Sequence, residues 1–397
     1  MSGRPKRILY VESNEDHTVG GSHQALYDLT LGLDRDRYEP VVLFYQDNVF
    51  RNRLERAGVT VVTYDSQRQR ERDAYLSGSL LRKAAAQFGS VWHRMRLLQA
   101  QGIDLVHLNN SPRVGHTTWL PAARLAGIPC IVTAMGRVDE GPHPIKRYLS
   151  RSFDCIIPIS RYMRELLIAE GVPPQKLALV YLGIDADRVR GRIRRTAAEV
   201  RETLGLDGGG ILITMVGNIR PWKGQHVLLE ALAGVPADVR KTWKVLFVGA
   251  PTPGDADYQD SLFRTVREAG LDGQVEFLGG RDDVADLVNA SDIAVHASVI
   301  PEPFGLVVPE AMALGKAVVA ANAGGPAEVI TPDSGVTYDP ETPARLGEHL
   351  VTLAADPELR EVLGRGARRR VEQFTVARNI IGTESVYERL LGLSPAP

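Results

Sequence analysis

Two glutamates eight positions apart are the residues whose type and spacing point most directly to chemistry. Glu302 precedes a predicted helix, and Glu310 lies about one turn into it, with Pro309 in the first turn, where a missing N–H does little harm. Free amides at such a helix start can bind an anion, and Gly305 lets a ligand approach the backbone closely. Two carboxylates flanking a bound anion suit a ligand that presents sugar, diphosphate and ribose in that order. A capped helix with charged surface residues is the simpler alternative.

Three further turns between a predicted strand and a predicted helix could also bind an anion. The turn 217–225 carries Arg220 and Lys223, and positive side chains are otherwise unfavourable at a helix N-terminus. Gly324-Gly325 and Gly20-Gly21 expose backbone amides after a strand. Glycine pairs are often only turns. Four such turns, two of them flanking the paired-glutamate loop, favour a phosphate-binding site.

The elements that must position these residues follow a βαβα pattern through most of the chain. Apolar runs without polar alternation predict parallel strands that are buried on both faces, as in a doubly wound α/β domain. The pattern breaks in an arginine-rich stretch near position 190 and then resumes. We therefore predict an N-terminal domain over 1–187, an exposed linker over 188–210, a second domain over 211–374 and a terminal helix over 375–397.

Composition excludes several classes of protein. The 397 residues carry 47 basic and 48 acidic side chains, a balance that argues against a protein built to bind nucleic acid. Cys130 and Cys155 lie in apolar runs and are expected to be buried thiols in a reducing compartment. With no apolar run of membrane-spanning length, we expect a cytoplasmic protein. The basic, amphipathic helix 80–98 could contact the inner face of a membrane, although a core helix is the simpler reading.

The chain resembles the retaining glycosyltransferases of the GT-B fold, specifically the family-four type (glycosyltransferase group 1). Glu302 and Glu310 match the E-x7-E signature of that family, with Phe304-Gly305 between them. The turn 217–224 is similar to its basic phosphate-binding turn. The two glycine pairs are similar to its diphosphate loop and its N-terminal glycine loop. The resemblance covers nearly the whole chain, and it implies two facing Rossmann-like domains with a cleft between them and a C-terminal cross-over helix.

The resemblance also implies roles for single residues. Glu310 would bind ribose hydroxyls and Glu302 the donor sugar, while Lys223, with Arg220, would neutralise the diphosphate leaving group. Glu302, Lys223 and Arg220 are therefore the expected catalytic residues. The expected donor-binding residues are Gly20, Gly21, Gly217, Asn218, Arg281, Phe304, Gly305, Leu306, Val307, Glu310, Gly324 and Gly325.

Two positions depart from the family pattern. Asn218 stands where an arginine is usual, so Arg220 would supply that charge from two residues further on. Met135 stands where many members carry an active-site histidine. Arg137 or His116 could take over part of that work. The expected acceptor-side residues are His107, Asn109, His116 and Arg137.

The activity implied is retaining transfer of a hexosyl group from a nucleoside diphosphate sugar, with UDP as the default nucleotide. The acceptor would be a hydroxyl of a glycan, a lipid-linked molecule or a small molecule. No metal or other cofactor is expected, because the D-x-D sequences at 185–187 and 255–257 lie in polar loops without supporting ligands. Two alternatives stay open: a nucleotide-sugar epimerase or pseudo-glycosyltransferase on the same fold, and a non-catalytic subunit that binds nucleotide sugars.

Overall fold

The structure is a computed structural model, and it describes residues 4–12, 20–45, 47–64, 80–110, 118–136, 151–206, 209–252 and 254–395. The chain divides into two compact units. Unit 1 comprises residues 1–183 together with 376–397, and unit 2 comprises residues 184–375.

Unit 1 is built on a parallel sheet that has six strands within the described residues, in the order β3-β2-β1-β4-β5-β6. The strands are β1 (Lys6–Glu12), β2 (Tyr38–Phe44), β3 (Thr60–Thr63), β4 (Leu105–Asn109), β5 (Cys130–Ala134) and β6 (Cys155–Pro158). The helices between them are α1 (Gly21–Gly32), α2 (Val49–Arg56), α3 (Leu80–Ala100), α4 (Trp119–Ala126) and α5 (Arg161–Ala169).

Unit 2 repeats this architecture, and its described strands form a second parallel sheet in the order β12-β11-β10-β7-β8-β9. The strands are β7 (Ile211–Val216), β8 (Trp243–Val248), β9 (Val275–Gly279), β10 (Ile293–His296), β11 (Ala317–Ala321) and β12 (Val336–Tyr338). The helices are α6 (Ala186–Arg190), α7 (Ala197–Thr203), α8 (Gln225–Gly234), α9 (Ala237–Arg240), α10 (Ala256–Glu268), α11 (Val284–Ala290), α12 (Val307–Ala313), α13 (Gly324–Val329), α14 (Pro343–Ala355) and α15 (Pro357–Val371).

The strand order of each sheet fixes where a ligand can bind. In unit 2 the chain continues from β7 to β8 on one side, while β10 pairs with β7 on the other. In unit 1 the corresponding pair is β1 and β4. Ligands of open α/β sheets bind at this point, outside the carboxyl ends of the strands. The predicted class, two doubly wound parallel sheets, is confirmed.

The stretch 188–210 is not the exposed linker expected from its composition. It contributes to two short helices, α6 and α7, within unit 2. Val200 of α7 is fully buried against Leu212 and Leu246. Three of the five arginines that suggested solvent exposure (Arg188, Arg190 and Arg195) instead pair with carboxylates of unit 2, as Arg195 does with Asp283 at 2.6 Å.

The final helix, α16 (Val376–Leu391), belongs to unit 1, where it packs against α1. Its Tyr387 is fully buried and joins a chain of hydrogen bonds. The Tyr387 hydroxyl lies 2.8 Å from the hydroxyl of Tyr10 and 2.6 Å from Nδ1 of His107. Nε2 of His107 lies 2.6 Å from the hydroxyl of Thr133. These bonds connect the end of the chain to β1, β4 and β5.

Helix α3 buries only part of the apolar face that its sequence pattern suggests. Val91, Met95 and Leu98 are buried, but Phe88 and Trp92 are 67% and 49% exposed. None of the helices in the described ranges is both long and apolar enough to cross a membrane. The two cysteines are buried free thiols, as expected from their apolar neighbours.

We expect Tyr387→Phe to lower the free energy of unfolding of unit 1 by about 2–3 kcal/mol, because the lost hydroxyl leaves buried groups of Tyr10 and His107 without a partner. Urea denaturation followed by circular dichroism measures this. The matched control is Ile381→Ala on the same helix, whose side chain is 66% exposed. A Tyr387→Phe midpoint equal to that of the control would show that the hydrogen-bond chain does not stabilise the unit.

Candidate functional site

The residues expected to bind the donor sugar and the diphosphate form an ion pair in the turns that follow β7 and β10. Nζ of Lys223 lies 2.8 Å from Oε1 of Glu302, and both side chains are largely buried. Lys223 also lies over the ring of Trp222, 4.4 Å from its centroid. The structure thus brings these catalytic candidates together at the switch point of the unit 2 sheet.

One oxygen of Glu302 carries all of the hydrogen bonds made by its carboxylate within the described residues. Besides Lys223, Oε1 accepts from Nε2 of His296 at 2.9 Å and from the hydroxyl of Ser298. Burial by itself would raise the pKa of Glu302, but the hydrogen bond from His296 and the charge of Lys223 hold that pKa far below its usual range. Glu302 is therefore an anion with one oxygen held by three donors and Oε2 left for a ligand.

The position of Lys223 depends on a close backbone approach at Gly224. This residue has φ +76°, and a Cβ there would lie 1.9 Å from the carbonyl oxygen of Ala297. The amide of Val299 donates to the carbonyl of Trp222 at 3.0 Å, which ties the turn to the chain after β10. Gly217, with φ +155°, faces the aliphatic stem of Lys223. The sequence 217–224 thus delivers Lys223 to Glu302 through backbone geometry.

Gly324 and Gly325 pack against the Glu302 loop. A Cβ on Gly324 would lie 2.4 Å from the carbonyl oxygen of Glu302, and one on Gly325 would lie 2.4 Å from Cα of Phe304. The amide of Gly325 donates to the Glu302 carbonyl at 2.8 Å. This amide is therefore not available to a diphosphate, contrary to the sequence-based expectation. The glycines allow the turn to hold the glutamate loop in place.

The loop between Glu302 and α12 keeps free donors. The amides of Phe304, Gly305 and Leu306 have no acceptor within the described part of the chain, whereas Val308 donates back to the Gly305 carbonyl at 2.9 Å. Gly305 has φ +73°, and a Cβ there would lie 2.7 Å from Cγ of Pro326. The expected anion-facing amides are thus present, and the loop that carries them requires glycine at position 305.

Glu310 lines a cavity of about 450 Å³ beside α12. The apolar part of its lining consists of Val189, Val216, Val284, Ala285, Val288, Val307, Ala311 and Leu314. The polar part consists of Arg192, Arg194, Arg281, Asp282 and Glu310. Because Val216 precedes Gly217 and Val307 follows Leu306, the cavity begins beside the two predicted anion-binding segments. Its size suits a nucleoside-sized ligand.

Burial raises the pKa of the Glu310 carboxyl, while the charges of Arg192 and then Arg188 act in the opposite direction. The other arginines of this run have carboxylate partners, in the pairs Arg188–Asp185, Arg190–Asp187 and Arg195–Asp283. The side chains of Arg192 and Arg194 line the cavity and form no ion pair with any described residue. Sequence reasoning missed both of them because their composition suggested a solvated linker.

Arg220 and Arg281 are each held by an acidic neighbour. Nε of Arg220 donates to the hydroxyl of Thr252 at 2.6 Å and lies 3.2 Å from Asp255. Arg281 makes two hydrogen bonds to Asp283, and these hold the pKa of that carboxyl below its usual range. Asn218 is exposed, and its backbone carbonyl accepts a hydrogen bond from the side-chain amide of Gln225. Arg220 therefore lies beside the same turn as Lys223 but has a separate carboxylate partner.

In unit 1 the structure corrects the expectation for His107. This side chain is 1% exposed, both ring nitrogens are hydrogen bonded, and burial lowers its pKa to about 3. It is a neutral core residue and not an acceptor-side group. Asn109 is also buried, and its amide donates to Glu12 and to the Ser22 carbonyl. A donor from the end of β4 thus meets the end of β1 and the start of α1.

The remaining predicted positions have simple outcomes. Gly20 has an extended backbone and no atom within 4 Å of where a Cβ would lie, and Gly21 begins α1. His116 and Arg137 lie outside the described residues. The amide of Met135 donates to the Asn110 carbonyl at 2.6 Å. Across the described ranges, no group of three or more His, Cys, Asp or Glu side chains is placed to hold a metal ion.

Two family models match the chain, one in each unit. The family described as glycosyl transferases group 1 matches residues 197–370, and the one described as glycosyl transferase 4-like domain matches residues 20–183. Together they span most of both units. The chain therefore belongs to the group 1 glycosyltransferases, as its motifs had indicated.

Curated relatives carry a more specific name. The D-inositol 3-phosphate glycosyltransferases of Streptomyces bingchenggensis and Streptomyces scabiei are each 30% identical over an alignment of 305 positions, and each match covers 72% of this chain. The match covers 66% and 67% of their respective lengths. This chain spans about half to two thirds of the length of the curated relatives it matches, for example 46% of the D-inositol 3-phosphate glycosyltransferase of Rhodococcus opacus.

A solved structure is similar over the whole chain. HepE from Anabaena, in complex with UDP and glucose, is 25% identical and has a TM-score of 0.78. The similarity covers 98% of this chain and 100% of HepE. The α/β architecture is thus that of the GT-B glycosyltransferases, and the similar protein is one that binds UDP.

We expect Gly325→Ala to destabilise unit 2 by about 1–3 kcal/mol, because the added Cβ overlaps backbone that cannot rotate away. The overlap falls on Phe304 Cα at 2.4 Å and the Pro303 carbonyl oxygen at 2.6 Å. Thermal unfolding of the purified variant measures the effect. Gly20→Ala is the control, since its Cβ meets no atom and its φ is −137°. Equal melting temperatures for the two variants would contradict the packing role of Gly325.

Proposed function

We propose that this protein transfers a hexosyl group from a nucleoside diphosphate sugar, with UDP as the favoured nucleotide, to an acceptor hydroxyl with retention of anomeric configuration. The observation that carries the proposal is the buried Lys223–Glu302 pair beside the cavity that contains Glu310. A sugar-facing carboxylate (Glu302), a cation (Lys223) and a ribose-facing carboxylate (Glu310) would then match the sugar, the diphosphate and the ribose of such a donor. Membership in the group 1 glycosyltransferases supports the same reaction class.

The nucleoside would occupy the cavity of unit 2. Ionised carboxylates accept hydrogen bonds from hydroxyl groups, so Glu310 would hold the ribose. The apolar side chains of the lining, among them Val284 and Val288, would contact the base. The diphosphate would then lie over Val216 and Gly217, where the free amides of Gly305 and Leu306 and the Lys223 ammonium face it.

The chemical step would be departure of the nucleoside diphosphate through an oxocarbenium-like transition state. Negative charge grows on the leaving oxygen, and a preorganised cation stabilises it best where water is excluded. Lys223 would share its charge between Glu302 and the diphosphate, and Arg220 would add charge from the same turn. Glu302 would bind a hydroxyl of the donor sugar through Oε2, the oxygen without a partner in the described residues.

Inositol 3-phosphate is the first acceptor to test, because curated relatives carry that acceptor in their name. A panel of UDP-glucose, UDP-galactose and UDP-N-acetylglucosamine, each with and without inositol 3-phosphate, tests donor and acceptor together. Proton NMR of the product gives the anomeric configuration. Release of UDP without transfer to inositol 3-phosphate would support the proposed donor and reject this acceptor. A product of inverted configuration would reject retention.

We expect Lys223→Met to lower turnover of the accepted donor by about 100-fold or more, because one preorganised donor to a developing charge contributes about 3–4 kcal/mol. The matched control is Lys244→Met, which removes a lysine of the same unit that pairs with Glu276. Steady-state release of UDP is measured for both variants at saturating donor. Full activity of Lys223→Met would refute the assigned phosphate site.

We expect Arg192→Gln to weaken UDP binding on the acidic side of neutrality, by about three- to tenfold at pH 6. Burial already raises the pKa of Glu310, and Arg192 opposes that shift, so losing Arg192 raises the pKa further. The carboxylate then protonates at a higher pH and accepts fewer ribose hydrogen bonds. Calorimetric titration with UDP from pH 5.5 to 8 measures this. Arg190→Gln, whose arginine pairs with Asp187, is the control, and superimposable profiles would contradict the assignment.

A further inference from the structure

His296 is a buried histidine that the proposed chemistry has not yet used. It is the last residue of β10, lies next to Ala320 of β11, and is 4% exposed. Its Nε2 lies 2.9 Å from Oε1 of Glu302. Because an ionised carboxylate only accepts hydrogen bonds, Nε2 carries the proton of this bond.

The other ring nitrogen of His296 makes no compensating contact. Nδ1 is buried and has no hydrogen-bond partner in the described structure. Leaving a buried polar atom unpaired is unfavourable, and a core position this tight could be filled by an apolar side chain instead. The only polar contact of the ring among the described residues is thus the one to Glu302, and this indicates that the histidine serves the carboxylate.

The geometry of the three donors to Glu302 shows how the histidine can orient this carboxylate. Lys223, His296 and Ser298 all bind Oε1, so the carboxylate plane is fixed by contacts on one side and Oε2 stays open. If Lys223 turns its charge to a diphosphate, only His296 and Ser298 still hold Oε1. The backbone of Gly305 also packs near the ring, because a Cβ added to this glycine would lie 3.7 Å from Nε2 of His296.

We propose that His296 is a positioning residue of the transfer reaction, which holds Oε1 of Glu302 through Nε2 so that Oε2 faces the donor sugar while Lys223 engages the leaving group. The assignment rests on the proposed function. It predicts a loss in the chemical step with little change in donor binding, because nucleoside and diphosphate are held by other residues.

The test compares His296→Asn with His296→Gln. The glutamine amide nitrogen can occupy the place of Nε2, whereas that of asparagine overlays Nδ1. We expect His296→Asn to lower kcat about 10- to 100-fold with a donor KM within threefold of wild type, since one hydrogen bond to a charged group is lost. His296→Gln should restore kcat to within about fivefold of wild type, the change expected when the bond is kept in altered geometry.

Ser298→Ala is the second variant, because it removes a neighbouring donor to the same oxygen without altering the buried ring. We expect it to lower kcat in the same sense and by less. Thermal stabilisation by UDP is measured for every variant, and an undiminished shift shows a folded donor site. If His296→Asn does not fold, the kcat of His296→Gln and that of Ser298→Ala are compared with wild type. A His296→Gln kcat within about fivefold of wild type together with a lowered Ser298→Ala kcat supports the positioning role, and an unchanged Ser298→Ala kcat overturns it.

The outcomes separate two failures. An active wild type with asparagine and glutamine variants of equal kcat overturns the positioning role and leaves the proposed function intact. Rescue by asparagine alone would assign the role to Nδ1 and also overturn the proposal. A wild type that is neither stabilised by UDP nor able to release it from any donor overturns the proposed function, and the assignment of His296 with it.

Discussion

The structure of unit 2 is organised around a buried carboxylate that has to be kept ionised. Removing Glu302 from water would by itself favour its protonated form. Three groups offset this loss of hydration, and all of them act on one oxygen: the Lys223 ammonium, the His296 ring and the Ser298 hydroxyl. A buried ion pair of this kind is weak as a source of stability. Its value lies in placing a negative and a positive group, both desolvated, at the point where the parallel sheet opens.

Close backbone packing is what makes this arrangement possible. Three segments converge on the Glu302 loop: the turn after β7, the end of β10 and the start of α13. At Gly224 and Gly325 the added Cβ would overlap neighbouring backbone. The glycines that resemble phosphate loops therefore act first as packing elements. This explains why the amide of Gly325 is engaged by the Glu302 carbonyl and is not offered to a ligand.

Much of the fold follows from local pattern, because buried parallel strands are continuous apolar runs that need no partner to be recognised. The continuous apolar runs 211–216 and 105–108 form β7 and most of β4. Boundaries of the second domain did not follow, since the segment 188–210 has the composition of a loop and folds only because Val200 and several arginines find partners in unit 2. The exposure of Phe88 on α3 did not follow either, since helical spacing indicates an apolar face but not what covers it.

The sequence by itself determined the family, the two parallel sheets and the identity of the paired glutamates, because motif spacing and hydrophobic period are properties of the chain. Only the tertiary structure decided which charges meet: Lys223 with Glu302, Arg220 with Asp255, and Arg192 beside Glu310. The tertiary structure also places His107 in the core of unit 1 and His296 beside Glu302. These neighbours in space are far apart in the chain, by 118 positions for Arg192 and Glu310. They depend on the order of strands in the sheet, which local sequence does not encode.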